Sequence, residues 1–403
     1  MKKTNLFTKL IATALVLCFA MTMLASCGAG ETVMSYDNGK YTITEEEFAL
    51  LMRIKKLDYF CNMLYTSKND TATFWNTDSK NEKGQTYEQL YKELVMNQTK
   101  AILVEKYLFD TMGLTISQDK LDSYKAAIKT AETNYGGKGA YKQYFGYTAS
   151  DYYNVYMEMV ARSEALLEAL CGENGELKVT EADLDTYFKD NYVGYQFIVL
   201  DMNNKVKRDE SGNRIVKMTK DAEGNEIESD VYETEALTDE EKSEKQILAD
   251  KIFAELEAGT KTFEELIAEY SDEYYSVEFP EGQFVISEGT FINATVTEKV
   301  KDLEIGEYTE EAISVDSDKY QYIVKRIELK DKVYDDDKYL ELFEGYEDTV
   351  KLDKYEKHIE TFFDGVTVNE EVAAEYTMKD TYLSKYADDF YTKYIYSYYG
   401  LNY

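Results

Sequence analysis

The 403-residue chain contains a single histidine, and that scarcity limits its chemistry. Histidine-based metal sites and most imidazole-driven acid and base mechanisms are left with one candidate, His358. Its setting, Tyr355-Glu356-Lys357-His358-Ile359-Glu360, reads as a half-exposed helix surface rather than a ligand cluster. Basic charge is also in short supply, with 45 Lys and Arg against 78 Asp and Glu and a formal charge of -33. Phosphate backbones need a basic surface from which counterions are released, so nucleic acid is excluded as the default partner. Cysteine is sparse. Cys18 falls in the leader and Cys27 just after it, and Cys61 and Cys171 alone are not a disulfide framework. Both lie in expected helices, where a buried thiol is the commoner use, although an exported chain could pair them. No Ser, Cys or Lys has a recognisable nucleophile context, no cofactor motif is present, and acidic runs such as Asp335-Asp336-Asp337 read as solvated surface or helix starts.

Aromatic residues are plentiful. With 38 Tyr and 18 Phe, aromatics at 14% and all hydrophobic types at 44%, the composition is that of a folded protein. At about 100 to 200 residues per domain, the length implies two or three domains. The N-terminus reads as an exported leader: Met1-Lys2-Lys3, a mostly apolar run from Leu10 to Leu24, then Leu24-Ala25-Ser26-Cys27-Gly28. The run is short of the roughly 20 residues that a membrane span needs. The cleavage point resembles a bacterial lipobox. That resemblance implies removal of residues 1–26 as a signal peptide and a diacylglyceryl group on Cys27, which would tether the chain to the outer face of the cell membrane. Losing Lys2, Lys3 and Lys9 leaves the body still more acidic, so it should stand off anionic headgroups.

Local signals order the rest of the chain. Residues 32–43 alternate around Asn38-Gly39, a hairpin signal. Thr44 with Glu47 forms a capping box before Phe48, Leu51, Ile54 and Leu57, and Thr86 with Gln89 repeats it before a long helix ending near Gly113. Further helices are expected at about 117–134 and 149–171, and a short one from Thr180 to Asp190. Tyr195-Gln196-Phe197-Ile198-Val199-Leu200 then has the aromatic and β-branched content of a strand. Within a polar insertion at 203–237, Arg208–Ile215 and Lys220–Ile227 form a near-repeat with a Gly-Asn in each copy, read as turns of a protruding hairpin; neither copy has the ligand positions of an EF-hand. Helices capped by Thr238 with Glu241 and Thr262 with Glu265 follow, then strands at 284–286 and 320–327. Helical spacing resumes at Tyr339, Leu340, Phe343, Tyr346 and Val350 and runs on to Phe363.

This order of elements resembles the PrsA and SurA family of extracytoplasmic foldases. Residues 37–48, from Asp37-Asn38-Gly39-Lys40-Tyr41 to Phe48, look like the hairpin and first helix of the family's chaperone domain. The segments Ile252–Gly259, Thr262–Asp272 and Leu303–Tyr308 resemble its parvulin-type peptidyl-prolyl isomerase domain. The resemblance implies an α+β protein: a helical chaperone domain from 27–190 and 331–403, split by a parvulin-like antiparallel sheet and helices at 191–330. It also implies unfolded or newly exported polypeptides as partners, and no cofactor. The family's two strand histidines map onto Phe197 and Tyr322, and its Gly-rich acid or Cys onto Gln283. Apolar and aromatic pocket positions are retained as Phe197, Phe284, Ile286, Phe291, Val296 and Tyr322, which either form a cleft for apolar client segments or fill the core, with Ile286 and Val296 favoured for the core. Prolyl rotation requires no nucleophile, so a shaped apolar pocket could retain some effect.

Tyr382, Tyr386, Phe390, Tyr394 and Tyr398 recur every four residues and would form one helical stripe, either docked on the chaperone domain or exposed to clients or glycan. Three functions remain open at this point. They are an ATP-independent holdase or foldase with a weak or inactive parvulin-like domain, an active isomerase with a rebuilt site, and a cell-surface ligand- or glycan-binding lipoprotein.

Overall fold

The computed structural model describes residues 31–60, 70–81, 83–221 and 224–390, without the side chains of residues 154, 155, 388 and 390. Cys27, Cys61, Tyr394 and Tyr398, and with them the leader and the far end of the tyrosine stripe, lie outside the described residues. The fold is α+β and divides into two compact units, one of residues 180–346 and one made of the chain before and after them.

The outer unit starts with β1 (Thr32–Tyr36) and β2 (Tyr41–Thr44), which pair antiparallel around Asp37, Asn38 and Gly39, all at positive φ. Thr44 and Glu47 close the expected capping box on α1 (Glu45–Tyr59). After α2 (Ala72–Trp75), Thr86 and Gln89 do the same for α3 (Tyr87–Thr111). The helices α4 (Gln118–Asn134) and α5 (Lys138–Phe145) follow, then α6 (Ala149–Asp151), a π-helical stretch Tyr152–Met157, and α7 (Glu158–Cys171). The expected helix at 149–171 therefore carries a wide turn in its middle.

The inserted unit begins with α8 (Glu181–Asn191), capped by Thr180, and runs directly into the central strand β3 (Tyr192–Asp201). The ribbons β4 (Asn204–Val206) with β7 (Thr234–Ala236), and β5 (Val216–Lys220) with β6 (Glu226–Tyr232), form the polar insertion. Its two Gly-Asn turns share one design: Gly212 and Gly224 take positive φ, and Asp209 and Asp221 accept the backbone N–H of Asn213 and Asn225 at 2.8 and 2.7 Å. Then come α9 (Asp239–Gln246), α10 (Leu248–Glu257), α11 (Phe263–Tyr270), α12 (Tyr274–Glu278), β8 (Gln283–Ile286), α13 (Ala294–Val300), β9 (Ile313–Val315) and β10 (Tyr320–Ile327). The main sheet is antiparallel in the order β8-β3-β10-β9.

The chain returns to the outer unit in α14 (Tyr346–Glu360), followed by β11 (Thr367–Val368), α15 (Glu370–Ala374) and α16 (Tyr386–Phe390). β11 pairs with β1 and completes a three-stranded sheet from both ends of the chain. The helical spacing read from Tyr339 is not realised until Tyr346. Residues 336–345 form turns ending at Gly345 (φ 79), because Tyr339 packs on the inserted sheet, its hydroxyl donating to the Gly282 carbonyl at 3.0 Å and its ring 5.6 Å from Phe284. The inserted unit is accordingly wider than 191–330: Phe188 of α8 packs against Phe284, Tyr334 and Phe343.

Candidate functional site

Strand parity decides which residues of the inserted sheet can act together. Phe197 pairs with Val324, Tyr322 with Val199 and Ile313, and Tyr195 with Gln283. Side chains alternate across a strand, so Tyr195, Phe197, Val199, Tyr320, Tyr322, Val324, Gln283 and Val285 share one face. Phe284 pairs with Gly194 and belongs to the opposite face, where an added Gly194 Cβ would lie 3.2 Å from its ring. Four of the five named cleft residues, Phe197, Gln283, Phe291 and Tyr322, are therefore brought to one side, and Phe284 is not.

On that side Phe291, from the loop before α13, packs edge-on to Phe197 at 5.4 Å and stacks on Tyr195 at 4.7 Å. Phe197 and Phe291 are 5% and 4% exposed, so they form the floor rather than an open wall. Val296 is fully buried beneath them, while Ile286 is 39% exposed at the sheet's edge. Tyr322 stands diagonally from Phe197 across the β3–β10 pair and remains partly exposed with Tyr320, Val193 and Val285. The Gln283 amide nitrogen is buried without a hydrogen-bond partner among the described residues, an uncommon state for a strong donor.

Carboxylates gather at the Tyr322 end. Burial, with Glu273, Tyr320 and Asp316 adding to it, pushes the Tyr322 phenol up to about 12. Burial also raises Glu273 above the ordinary carboxylate range, although the Ser276 N–H donates to it at 2.6 Å. Asp272 accepts the Asp201 N–H at 2.9 Å and pairs with Lys245 at 2.5 Å; burial outweighs that pairing and raises its carboxyl too. At neutral pH Tyr322 is a neutral ring with a hydroxyl. Neither Phe197 nor Tyr322 therefore supplies an ionised group at neutral pH.

Sequence reasoning missed Ile292. It adopts φ 61, a left-handed conformation that is an outlier for a β-branched residue, at the apex of a tight turn in which the Asn293 N–H donates to the Phe291 carbonyl at 2.7 Å. The Thr297 hydroxyl locks the turn by accepting the Phe291 N–H at 2.8 Å. The result is an apolar side chain, 39% exposed, held beside the aromatic floor on strained backbone. Gly289 and Asn293 mark a loop here in the sequence, but neither singles out Ile292 as the left-handed residue.

The remaining candidates have structural settings. His358 packs edge-on to Phe362 at 5.3 Å, and Cys171 is a free, buried thiol. Tyr386 packs on Tyr144 and Phe145 of the outer unit, whereas Tyr382 lies over Gly146 and is 51% exposed. Among the described residues there is no group of metal-ligating side chains, and no helix is long and apolar enough to cross a membrane.

No family model matches the chain. No curated protein matches it either. Among solved structures it is similar to PrsA from Bacillus subtilis, with 17% identity over 91% of this chain and 93% of that one and a TM-score of 0.22. It is also similar to the foldase protein PrsA from Streptococcus pneumoniae str. Canada MDR_19A, with 14% identity over 93% and 99% of the two chains and a TM-score of 0.21. A third is the foldase protein PrsA from Lactococcus lactis, with 15% identity over 86% and 97% and a TM-score of 0.21.

Proposed function

We propose that this protein is an extracytoplasmic holdase or foldase, tethered to the cell membrane by lipid on Cys27, that binds unfolded exported chains without ATP. The observation that carries this reading is the makeup of one face of the inserted sheet, a packed aromatic and aliphatic cluster with a partly exposed rim. Gln283 shares that face with the cluster, beside Tyr195, and the resemblance aligns Phe197 and Tyr322 with the family's two histidines. Such a rim can hold an apolar segment, and Phe197 and Tyr322 supply no acid–base chemistry near neutral pH. The partly exposed rim, Tyr320, Tyr322, Val193, Val285 and Ile292, is the contact surface, with Phe197 and Phe291 as its support. Acidic charge on the body steers basic clients toward it and keeps the loaded complex soluble.

The test pairs two assays on the chain lacking residues 1–26. Stoichiometric protein is expected to suppress aggregation of a reduced, unfolded client, while prolyl isomerisation of a tetrapeptide stays near the uncatalysed rate. Failure to suppress aggregation would refute the chaperone reading. A clear isomerase rate that falls on Gln283→Ala would instead show a rebuilt active site.

A further inference from the structure

The segment Tyr376–Thr381 has no regular secondary structure, yet it is held by dedicated buried groups of the outer unit. Lys56 of α1 is fully buried, and its ammonium donates to the carbonyls of Met378 at 2.8 Å and Thr381 at 2.7 Å. Asp70, 2.8 Å away, balances that charge and also accepts the indole N–H of Trp75 at 2.8 Å. Glu88, in the first turn of α3, accepts the N–H groups of Met378 at 2.7 Å and Lys379 at 3.0 Å. Met378 is completely buried, and the Tyr376 ring packs edge-on to Phe48 at 5.5 Å.

These contacts read main chain. Two carbonyls and two N–H groups are recognised by charged side chains, and side-chain selection is limited to the Met378 pocket and to Tyr376, whose ring packs on Phe48 and whose hydroxyl donates to Glu45 at 3.2 Å. Recognition of this kind tolerates many sequences, as a binder of unfolded chains requires. The segment runs between α15, whose Val372 and Ala373 are buried, and α16, whose Tyr386 packs on Tyr144 and Phe145, so it would leave as an arc between two anchored ends. Lys56 and Glu88 would then be left with unmet hydrogen-bonding capacity, so departure is favoured only where another peptide replaces it.

We propose that the cradle of Lys56, Glu88, Asp70 and Trp75 is a second peptide-binding site, occupied in cis by residues 376–381, and that an unfolded client presenting a buried Met- or Leu-type side chain exchanges with this strap. The proposal rests on the chaperone reading for its ligand class. The strap acts as an internal client that keeps the site filled until a competitor arrives.

The probe is a fluorescent synthetic peptide of residues 374–384, titrated against the chain from residue 27. Loosening the strap with Tyr376→Ser and Met378→Ser frees the cradle and is expected to tighten peptide binding at least about tenfold over wild type. Adding Lys56→Met should abolish the gain. A loosened variant that melts cooperatively but binds no tighter than wild type overturns the proposal. Should that variant fail to fold, hydrogen exchange on the wild type decides: the Met378 and Lys379 amides must exchange faster with saturating reduced, carboxymethylated α-lactalbumin, and unchanged protection overturns the exchange of strap for client. Aggregation suppression with unchanged protection keeps the chaperone reading and removes the strap site. Peptide binding without suppression does the reverse.

Discussion

Ile292 separates stability from function at a single residue. A β-branched side chain at φ 61 strains the backbone, and a side chain that is 39% exposed gains only part of the stabilisation of full burial. Asn tolerates the left-handed region far better because its short polar side chain bonds locally. Ile292→Asn is therefore expected to raise unfolding stability by about 1 kcal/mol in urea titrations while weakening suppression of client aggregation. A variant both less stable and fully active would show that Ile292 packs rather than binds. The position was invisible in the sequence, where Thr290-Phe291-Ile292-Asn293 contains neither glycine nor proline. Phe197, Gln283 and Tyr322 could be aligned by residue pattern. The opposite facing of Phe284 could not, because it depends on a pairing register that only the folded sheet fixes.

At the scale of helices, Glu105 makes α14 pH-sensitive. It is wholly buried on α3, where Tyr355 of α14 donates to it at 2.8 Å and Ser163 of α7 at 2.7 Å. Burial pushes its carboxyl from 4.5 up to about 7, overcoming those two bonds and the nearby Arg162 charge. Glu356, one residue along α14, is likewise raised to about 7 by burial and then by Asp353 and Glu360. A folded-state value above the unfolded one means that the fold binds the proton more tightly. Stability is then greatest below about pH 4.5 for these groups and declines as pH rises through 7. For Glu105 the loss is on the order of 3 kcal/mol. Glu105→Gln keeps an acceptor for one hydroxyl, and is expected to raise stability at pH 7.5 and to flatten the dependence between pH 5 and 7 in denaturant titrations. Unaltered pH dependence in that variant would assign the effect to other groups. This linkage joins residues 250 positions apart, and nothing local announces it. Helix starts were far more legible: the boxes at Thr44, Thr86, Thr238 and Thr262 were readable because both capping residues lie within one turn. The late start of α14 was not, since the packing of Tyr339 on the inserted sheet sets it, and no local signal marks the π-helical turn at 152–157.

For the whole molecule, the question is whether the outer unit needs its insertion. Its core is drawn from both ends of the chain: Ala101, Val104, Phe109, Leu166 and Leu170 pack with Tyr355 and Ile359, and Val372, Ala373 and Met378 join the cluster around Phe48 and Trp75. The ends left by removing residues 180–346 are close, because Lys354, two helical turns into α14, donates to the Lys178 carbonyl at 3.2 Å. Two turns of helix and one lysine side chain bound the gap at about 20 Å, which roughly six Gly and Ser residues can span. Closing so short a loop costs less entropy than closing the native insertion, so the long-range contacts of the outer unit should form at least as readily. The chain with that linker in place of 180–346 is expected to unfold in one cooperative transition and to retain the acid-side stabilisation conferred by Glu105, which involves no residue of the insertion. It should also keep the strap bound to Lys56 while losing the aromatic face of the inserted sheet. Measured side by side, the deleted and full chains then divide client binding between the two sites. Loss of cooperative unfolding in the deleted chain would show instead that the helices depend on the sheet for their core.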